Sequence, residues 1–271
     1  MPEGDTIHDL ATRLRPALSG RELREVSVPR VRGMERLRVG DTVVAVESRG
    51  KYLEITVDRG VVLRTHLKMV GRWELYRPDE RWRSPRHLAR AVLRVDGAVA
   101  VCFRAPVVEL GRVGDGALDH LGPDLCRPPV DLDAILDRID ALADPHAEIG
   151  EVLLEQRLAA GVGNVYRNEV LFACGVHPFR PLGEVDTETR RALYETAAAQ
   201  LQANLGRRRR RTLGDGLAVY GREHQGCRVC GTGIRTATRD ARDRTTWWCP
   251  RCQPDTGDGQ WAARSRSAPR T

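Results

Sequence analysis

The chain has 271 residues, of which 41% are hydrophobic, so it can bury one large core or two smaller ones. Its 44 basic residues exceed its 37 acidic ones, and the net charge of +7 suits a polyanionic partner, although an arginine-rich surface alone would give the same balance. Charged residues interrupt every long apolar run, including the N-terminal one, so we expect a cytoplasmic protein with no membrane segment and no disulfides among its seven cysteines.

The N-terminal part of the chain predicts one helix followed by strands. A helix is expected over residues 3–18, where four apolar residues have helical spacing: Ile7, Leu10, Leu14 and Leu18. Short alternating and β-branched runs over residues 20–112 predict antiparallel strands in a sandwich or flattened barrel. Asp96-Gly97, between AVLRV and AVAVCF, is the clearest hairpin turn.

Beyond about residue 120 the pattern becomes helical. The proline-rich LGPDLCRPPVD marks a linker, and helices are predicted at about 131–143, 147–159, 165–174 and 186–204. Residues 221–253 are rich in Cys, Gly and Arg, which suggests a small metal-stabilised ribbon, and the tail lacks a core pattern and should be disordered. The predicted fold class is therefore α+β with several domains.

Two close cysteine pairs indicate a metal site. Cys227-Arg-Val-Cys230 and Cys249-Pro-Arg-Cys252 are separated by eighteen residues, a spacing typical of four-cysteine zinc sites. Four thiolates leave no open coordination position, so we predict one structural Zn²⁺; a redox-active pair is the alternative. Three scattered cysteines are expected to be small buried hydrophobes: Cys102, Cys126 and Cys174.

The stretch LLEQRLAAGVGNVYRNEVLFACGVHP contains a tight reversal. One helix is predicted to end near Ala160, Gly161-Val-Gly163 permits the turn, and Asn164 can cap the next helix. These features fit a plain connection between two helices. The functional alternative is a turn whose amides and Asn164 side chain hold a phosphate at a helix N-terminus.

Basic residues near the C-terminus favour phosphate contacts to different degrees. Residues 207–211 are five consecutive arginines, a pattern typical of a solvated loop that adds only non-specific attraction. Arg244 lies five residues before Cys249, where a bound metal would fix its backbone, and a rigid guanidinium suits a phosphate clamp. The adjoining Trp247-Trp248 is expected to pack the ribbon rather than stack on bases.

The start of the chain offers a nucleophile. If Met1 is removed, Pro2 presents a secondary amine that titrates near pH ~8, well below lysine. Such an amine can form a cationic iminium with a sugar aldehyde carbon, and Glu3 can protonate a sugar oxygen. Lys51 would present a second positive charge from a strand. Taken alone, however, proline at a helix start is ordinary capping.

Six motifs follow one another in a family's order: MPEG, SRGKYL, HLKMVG, LGPD, AGVGNVYRNEVLFACGVHP and RTTWWCPRCQ. The chain resembles the formamidopyrimidine-DNA glycosylase and endonuclease VIII family over about residues 2–253. The resemblance implies a catalytic β-sandwich domain (1–118), a linker with a helix-two-turn-helix DNA-binding domain (119–220), a zinc finger (221–253) and a disordered basic tail (254–271).

The resemblance also implies catalytic roles. Pro2 would be the Schiff-base nucleophile, Glu3 the proton donor, and Lys51 a proton donor for β-elimination or a phosphate ligand. Asn164 and Arg244 would grip the phosphates that flank the lesion, and Arg244 would also take part in δ-elimination.

In the HLKMVG motif the family places DNA contacts and an apolar wedge. Met69 would be the wedge that fills the gap left by an everted base, with His66 and Lys68 as further DNA contacts. The alternative for Met69 is a core position on a strand.

Several departures bear on the branch of the family. Gly4 stands where the formamidopyrimidine branch commonly has leucine, and CFRAPVVELG lacks that branch's Asp-Pro-Arg-Arg-Phe pattern, which favours endonuclease VIII. Asp5-Thr6 replaces the common Pro-Glu, which removes a carboxylate near the expected active site, and Lys68-Met69-Val70 differs from the Gln-Leu-Tyr wedge of some endonuclease VIII proteins.

The sequence thus predicts a bifunctional DNA glycosylase and AP lyase of base excision repair. It would excise oxidised pyrimidines from damaged duplex or single-stranded DNA, cut the strand by β,δ-elimination, and work as a nucleoid-associated monomer. The alternatives are a formamidopyrimidine or 8-oxoguanine glycosylase, a non-catalytic zinc-containing DNA-binding module that retains Met1, and a small-molecule tautomerase that uses an N-terminal proline.

Overall fold

The computed structural model describes residues 2–31, 36–238 and 244–255. The chain begins with helix α1 (Gly4–Leu18), as predicted. Its four predicted apolar residues are each at most 5% exposed and pack against two strands, β2 (Val43–Arg49) and β3 (Tyr52–Val57). The helix therefore fixes the N-terminus against the sheet that follows it.

Eight strands form two four-stranded antiparallel sheets, which confirms the predicted sandwich. The remaining strands are β1 (Glu25–Ser27), β4 (Val61–His66), β5 (Arg72–Tyr76), β6 (Ala89–Val95), β7 (Ala98–Phe103) and β8 (Val107–Arg112). One sheet has the order β1-β6-β7-β5 and the other β2-β3-β4-β8. A single apolar core from both sheets and α1 lies between them.

Two hairpin turns differ in how well the sequence predicted them. Asp96-Gly97 joins β6 and β7 as expected, with Gly97 at φ 83°. Gly50-Lys51 joins β2 and β3, so Lys51 lies on a turn and the prediction of a strand position was wrong. The alternating pattern of the flanking strands hides this short turn, in which Gly50 adopts φ 55°.

The central part of the chain is helical, with α2 (Leu132–Leu142), α3 (Ile149–Val152), α4 (Asn164–Ala173) and α5 (Thr187–Ala203) around a second apolar core. The helix predicted at 147–159 was wrong, because α3 is only four residues long. The following residues bond instead to the supposed linker: Gly122 N donates to Gln156 O, and Leu125 N donates to Ala160 O. Such long-range pairing overrides local helix propensity.

The C-terminal ribbon consists of β9 (Arg235–Thr238) and β10 (Thr245–Trp248), which pair antiparallel. It packs on Phe172 of α4. Trp247 and Trp248 lie against Tyr220 and Phe179 respectively, as the packing interpretation predicted. Within the described ranges, no helix has the length and apolar character needed to cross a bilayer. The predicted tail, residues 254–271, lies outside the described residues from position 256 onwards.

Candidate active site

Glu3 is the centre of the candidate site. Its side chain is fully buried, and its carboxylate accepts hydrogen bonds from three backbone amides: Gly163 (2.8 Å), Val165 (2.8 Å) and Tyr166 (3.3 Å). These amides form the N-terminus of α4, where the helix dipole favours a negative charge. Glu3 therefore caps a helix that lies 160 residues further along the chain.

The predicted cap was wrong. Gly163, not Asn164, is the N-cap residue of α4, and no side chain of the helix caps it locally. Asn164 is the first helical residue, and its Nδ2 donates instead to Thr245 O at 3.0 Å. The cap comes from a distant carboxylate, so the local sequence carried no signal for it.

Close backbone contact holds the N-terminal segment on this turn. Gly4 N donates to Gly161 O at 2.9 Å, and a Cβ on Gly4 would lie 2.9 Å from both Gly161 Cα and Cys126 Sγ. Only glycine fits at this contact, which is the physical reason for the glycine in MPEG. Pro2, half-buried, directly precedes Glu3 and is thereby carried to the same turn.

Gly163 is the other glycine that this arrangement needs. An added Cβ would lie 2.4 Å from Glu3 Cδ, so Gly163→Ala must push the carboxylate off its three amides. We expect the substitution to lower the free energy of unfolding by about 1–3 kcal/mol, measured by denaturant titration. Gly233→Ala is the control, because an added Cβ there meets nothing within 4 Å. Equal stability of the two variants would contradict the described contact.

The hairpin turn that carries Lys51 also packs against the turn at Gly161. Gly50 N donates to Asp124 Oδ2 at 2.8 Å, and a Cβ on Gly50 would lie 2.8 Å from the Cβ of Ala160, directly before Gly161. The turn at Gly161 therefore touches both Gly4 and the Gly50-Lys51 hairpin. The structure brings Pro2, Glu3 and Lys51 to one junction between the sandwich and the helices.

His66 and Lys68 lie beside Lys51. Burial, together with the positive charges of Lys68 and Lys51, lowers the pKa of His66 to about 4, so its ring is neutral at neutral pH. Its Nδ1 accepts a hydrogen bond from Lys68 N at 3.1 Å, and its ring packs edge-on against Tyr52. Because it is uncharged at neutral pH, the His66 ring can form hydrogen bonds but not salt bridges.

Met69 lies on a turn and not on a strand, so its interpretation as a core residue was wrong. The turn connects β4 to β5, and the Met69 side chain is 65% exposed, with Val70 beside it 55% exposed. The tip of this turn thus presents apolar side chains to solvent, next to His66 and its two neighbouring lysines, Lys51 and Lys68.

Asn164 and Arg244 lie at one end of the ribbon, where β10 meets α4. Arg244 Nη2 donates to Glu151 Oε2 at 2.7 Å, and the other oxygen of Glu151 accepts from Arg167 at 2.6 Å. Arg167, 1% exposed, also donates to Thr245 O, the acceptor that it shares with Asn164. Sequence reasoning missed Glu151 and Arg167, because their partners in the ribbon, Arg244 and Thr245, lie 93 and 78 residues further along the chain.

The four paired cysteines meet in the ribbon, and their sulfur atoms all lie within 4.8 Å of one another. The shortest Sγ–Sγ distances are 3.5 and 3.8 Å, too long for disulfide bonds. Tetrahedral zinc, with Zn–S bonds of about 2.3 Å, needs sulfur atoms about 3.8 Å apart, so the cluster fits one such ion. The other cysteines are buried, as predicted: Cys102, Cys126 and Cys174.

Asp5 brings to this site a carboxylate for which the sequence predicted no role. Asp5-Thr6 suggested the loss of a carboxylate near the site, yet the Asp5 carboxylate is itself 4% exposed and accepts from Tyr166 Oη at 2.8 Å and from Arg210. Arg210, one of the five arginines expected in a solvated loop, is only 16% exposed in its side chain. Neither residue type nor spacing signals this ion pair, which spans 205 positions.

Two protein-family models and several curated relatives match this chain. A model of the formamidopyrimidine-DNA glycosylase N-terminal domain matches residues 1–107, and a model of the formamidopyrimidine-DNA glycosylase H2TH domain matches residues 121–212. The probable endonuclease 8 2 of Streptomyces coelicolor is 41% identical over 93% of this chain and 94% of its own length. The DNA-(apurinic or apyrimidinic site) lyase Nei2 of Mycolicibacterium smegmatis is 38% identical over 93% of this chain and 99% of its own.

A solved structure shows the same fold. The complex of Lactococcus lactis Fpg (MutM) with DNA that contains an oxidised pyrimidine aligns with a TM-score of 0.79 at 23% identity, over 93% of this chain and 100% of that one. With its two matching domains and its relatives, the chain belongs to the formamidopyrimidine-DNA glycosylase family. The relatives named endonuclease 8 and Nei2 place it in the endonuclease VIII branch.

Proposed function

We propose that the chain is a bifunctional DNA glycosylase and AP lyase of base excision repair that acts on oxidised pyrimidines. The observation that carries the proposal is the junction at Gly161, where the segment that bears Pro2 and Glu3, the Lys51 turn and the start of α4 come together. The similarity to endonuclease 8 relatives disfavours the alternatives of an 8-oxoguanine enzyme, a non-catalytic DNA-binding module and a tautomerase.

In the proposed reaction, removal of Met1 exposes the Pro2 amine, which attacks C1′ of an everted nucleotide. The N–C1′ bond forms as the bond from C1′ to the base breaks, and the base leaves with a proton. The protonated Pro2 amine supplies two protons in this step: one leaves with the base, and the other passes to the Glu3 carboxylate, which donates it to the ring oxygen, so the sugar opens and an iminium forms at C1′. The iminium acidifies C2′, and loss of that proton to water breaks the C3′–O bond and expels the 3′ phosphate. Loss of the C4′ proton to water then breaks the C5′–O bond and expels the 5′ phosphate. Lys51 acts as a proton donor or a phosphate ligand.

The rest of the site would hold the substrate. Asn164 and Arg244 bind the phosphates that flank the lesion, and Arg244 exchanges its contact with Glu151 for a phosphate. The positive charge of Lys68 and a hydrogen bond from neutral His66 add contacts beside the Met69 wedge. Four residues hold the zinc ion, which stabilises the ribbon that carries Arg244: Cys227, Cys230, Cys249 and Cys252.

We assign the domains accordingly. The catalytic domain is residues 1–118, the linker and helix-two-turn-helix domain 119–220, and the zinc finger 221–253, with 254–271 as a tail. The substrate is damaged DNA, as in the Lactococcus lactis complex, and we place the enzyme in the cytoplasm at the nucleoid as a monomer.

A panel of lesion oligonucleotides tests this function. Duplexes and single strands that carry thymine glycol, 5-hydroxyuracil, 8-oxoguanine or an abasic site are scored separately for base release and for strand cleavage. We expect release of the two pyrimidines and cleaved ends that carry phosphate on both sides of the gap. DNA binding without base release would indicate a non-catalytic module, and release of 8-oxoguanine alone would indicate the other branch.

The wedge makes a separate prediction. Met69→Ala should weaken binding to a duplex with a tetrahydrofuran abasic analogue about tenfold, because the truncated side chain fills less of the gap. Stability should change by less than about 0.5 kcal/mol, since the side chain is 65% exposed. Val113→Ala, equally exposed but at the far end of β8 from His66, is the control and should bind like the parent. Unchanged binding by Met69→Ala would remove the wedge from the mechanism.

A further inference from the structure

An ion pair links the first turn of α1 to the segment after α5. Arg210 Nε and Nη2 each lie 2.6 Å from an oxygen of Asp5, which is the two-point geometry of a strong arginine–carboxylate pair. Nη2 also donates to Thr6 Oγ1 at 2.7 Å. Burial would raise the pKa of Asp5, but the hydrogen bonds and charge of Arg210, with the hydrogen bond from Tyr166, outweigh it and lower the pKa.

A second contact ties the same segment to the same helix. Gly206 N donates to Asp9 Oδ1 at 2.7 Å, and Asp9 lies one helical turn after Asp5 on the same side of α1. Residues 206–210 therefore lie against the helix that begins directly after Pro2 and Glu3. The arginine run is not simply a solvated loop, because its fourth member anchors it.

Tyr166 connects this pair to the catalytic carboxylate. Its backbone N donates to Glu3 Oε2 at 3.3 Å, while its hydroxyl donates to Asp5 Oδ2 at 2.8 Å. The Arg210 guanidinium lies 5.3 Å from the centre of the Tyr166 ring. Burial lowers the pKa of Arg210, but the nearby carboxylates of Asp5 and Glu3 together raise it above its usual value. Glu3 is therefore close enough to attract the Arg210 guanidinium.

We propose that Asp5 and Arg210 are positioning residues for the reaction. Their ion pair holds residues 206–210 on the first turn of α1 and keeps the Arg210 guanidinium away from the Glu3 carboxylate. Glu3 then stays on the amides of α4, and Pro2 stays beside it. The inference rests on the proposed function, and neither residue is assigned a contact with substrate.

The proposal predicts an unusual response to mutation. In Asp5→Asn, Arg210 loses the negative charge of Asp5, and the nearby Glu3 carboxylate also attracts Arg210, so the guanidinium should draw Glu3 off the α4 amides. In Asp5→Asn/Arg210→Gln, two neutral amides can hydrogen-bond to each other and no charge competes for Glu3. The second substitution should therefore restore activity that the first removes.

The experiment measures single-turnover base excision and affinity for a tetrahydrofuran duplex. We expect Asp5→Asn to lower the excision rate about 10- to 100-fold, the scale of a small misplacement of reacting groups, with affinity within about threefold of the parent. The double variant should excise at least about fivefold faster than Asp5→Asn. Glu54→Gln is the control. Glu54 forms a similarly buried ion pair with Arg64 in the sandwich, with an N–O distance of 2.6 Å, and no residue of the proposed site contacts this pair.

The outcomes are distinct. If Glu54→Gln lowers the melting temperature as much as Asp5→Asn but leaves excision intact, the role of Asp5 is positional and the proposal stands. The proposal is overturned if the excision rate falls in step with the melting temperature across all variants. It is also overturned if the double variant excises no faster than Asp5→Asn. A parent chain that excises no base would refute the proposed function and this inference with it, whereas an active parent and a fully active Asp5→Asn would refute the inference alone.

Discussion

Glu3→Gln should lower the rate of base excision by about 10²- to 10⁴-fold, the usual contribution of a general acid. The glutamine amide can accept hydrogen bonds through one oxygen only, whereas the carboxylate serves three α4 amides with two. Unfolding should therefore also become easier by about 1–3 kcal/mol. Single-turnover excision and denaturant titration measure the two effects.

The control for this variant is Glu195→Gln, on the exposed side of α5. It removes the same charge and should change neither excision nor stability measurably. Binding to a tetrahydrofuran duplex should survive in both variants, because phosphate contacts supply most of the affinity. Excision by Glu3→Gln within tenfold of the parent would exclude Glu3 as the proton donor.

Cys249→Ser should abolish tight DNA binding. The ribbon has few apolar residues of its own, so loss of one thiolate should release the zinc ion that we propose it holds, and the ribbon should unfold. Thr245 would then leave Asn164 and Arg167, Arg244 would leave Glu151, and the end of the ribbon that we propose binds phosphate would be lost. We expect affinity for a lesion duplex to fall at least about 100-fold, measured by fluorescence anisotropy, with zinc content measured by mass spectrometry.

Cys174→Ser provides a matched control. Cys174 is also buried, but it lies in the helical core, where its Sγ already contacts Thr196 Oγ1 and Ala192 O, so a serine hydroxyl finds partners. This variant should keep its zinc and its affinity for DNA. A Cys249→Ser chain that binds DNA as tightly as the parent would contradict a structural role for the metal.

The elements that local sequence predicted correctly share a physical cause. The apolar spacing of α1 reflects burial of one helix face, the apolar runs of β6 and β7 reflect strands that are mostly buried on both faces, and the Asp96-Gly97 turn reflects local backbone preference. The cysteine spacing likewise encodes a constraint within one short segment. In each case the residues that determine the structure are neighbours in the chain.

Three of the errors arose where distant residues decide the structure. The Glu3 cap on α4, the pairing of residues 122–125 with 156–160, and the Asp5–Arg210 pair each join segments more than 30 residues apart. Local patterns there predicted a helix, a local cap and a solvated loop. No spacing rule could have revealed these contacts, although the buried charges have a clear physical logic once their partners are known.

The proposed exchange of Glu151 for a phosphate at Arg244 also depends on a contact between distant residues. Glu151 is 34% exposed in its side chain and bonds Arg244 on one oxygen and the fully buried Arg167 on the other. A phosphate could replace Glu151 at Arg244, while Arg167 keeps Glu151 in place. Such an exchange would hold the guanidinium in a defined position before DNA arrives and limit the ordering cost of binding.

The location of the covalent bond to DNA is the most direct test of the account. Reduction with borohydride during turnover converts the iminium into a stable amine, and peptide mass spectrometry of the digested adduct then identifies the attached nitrogen. We predict attachment to the α-nitrogen of Pro2 in a chain that has lost Met1. Attachment to Lys51 or another side chain, or full excision by a chain that still carries Met1, would contradict the account.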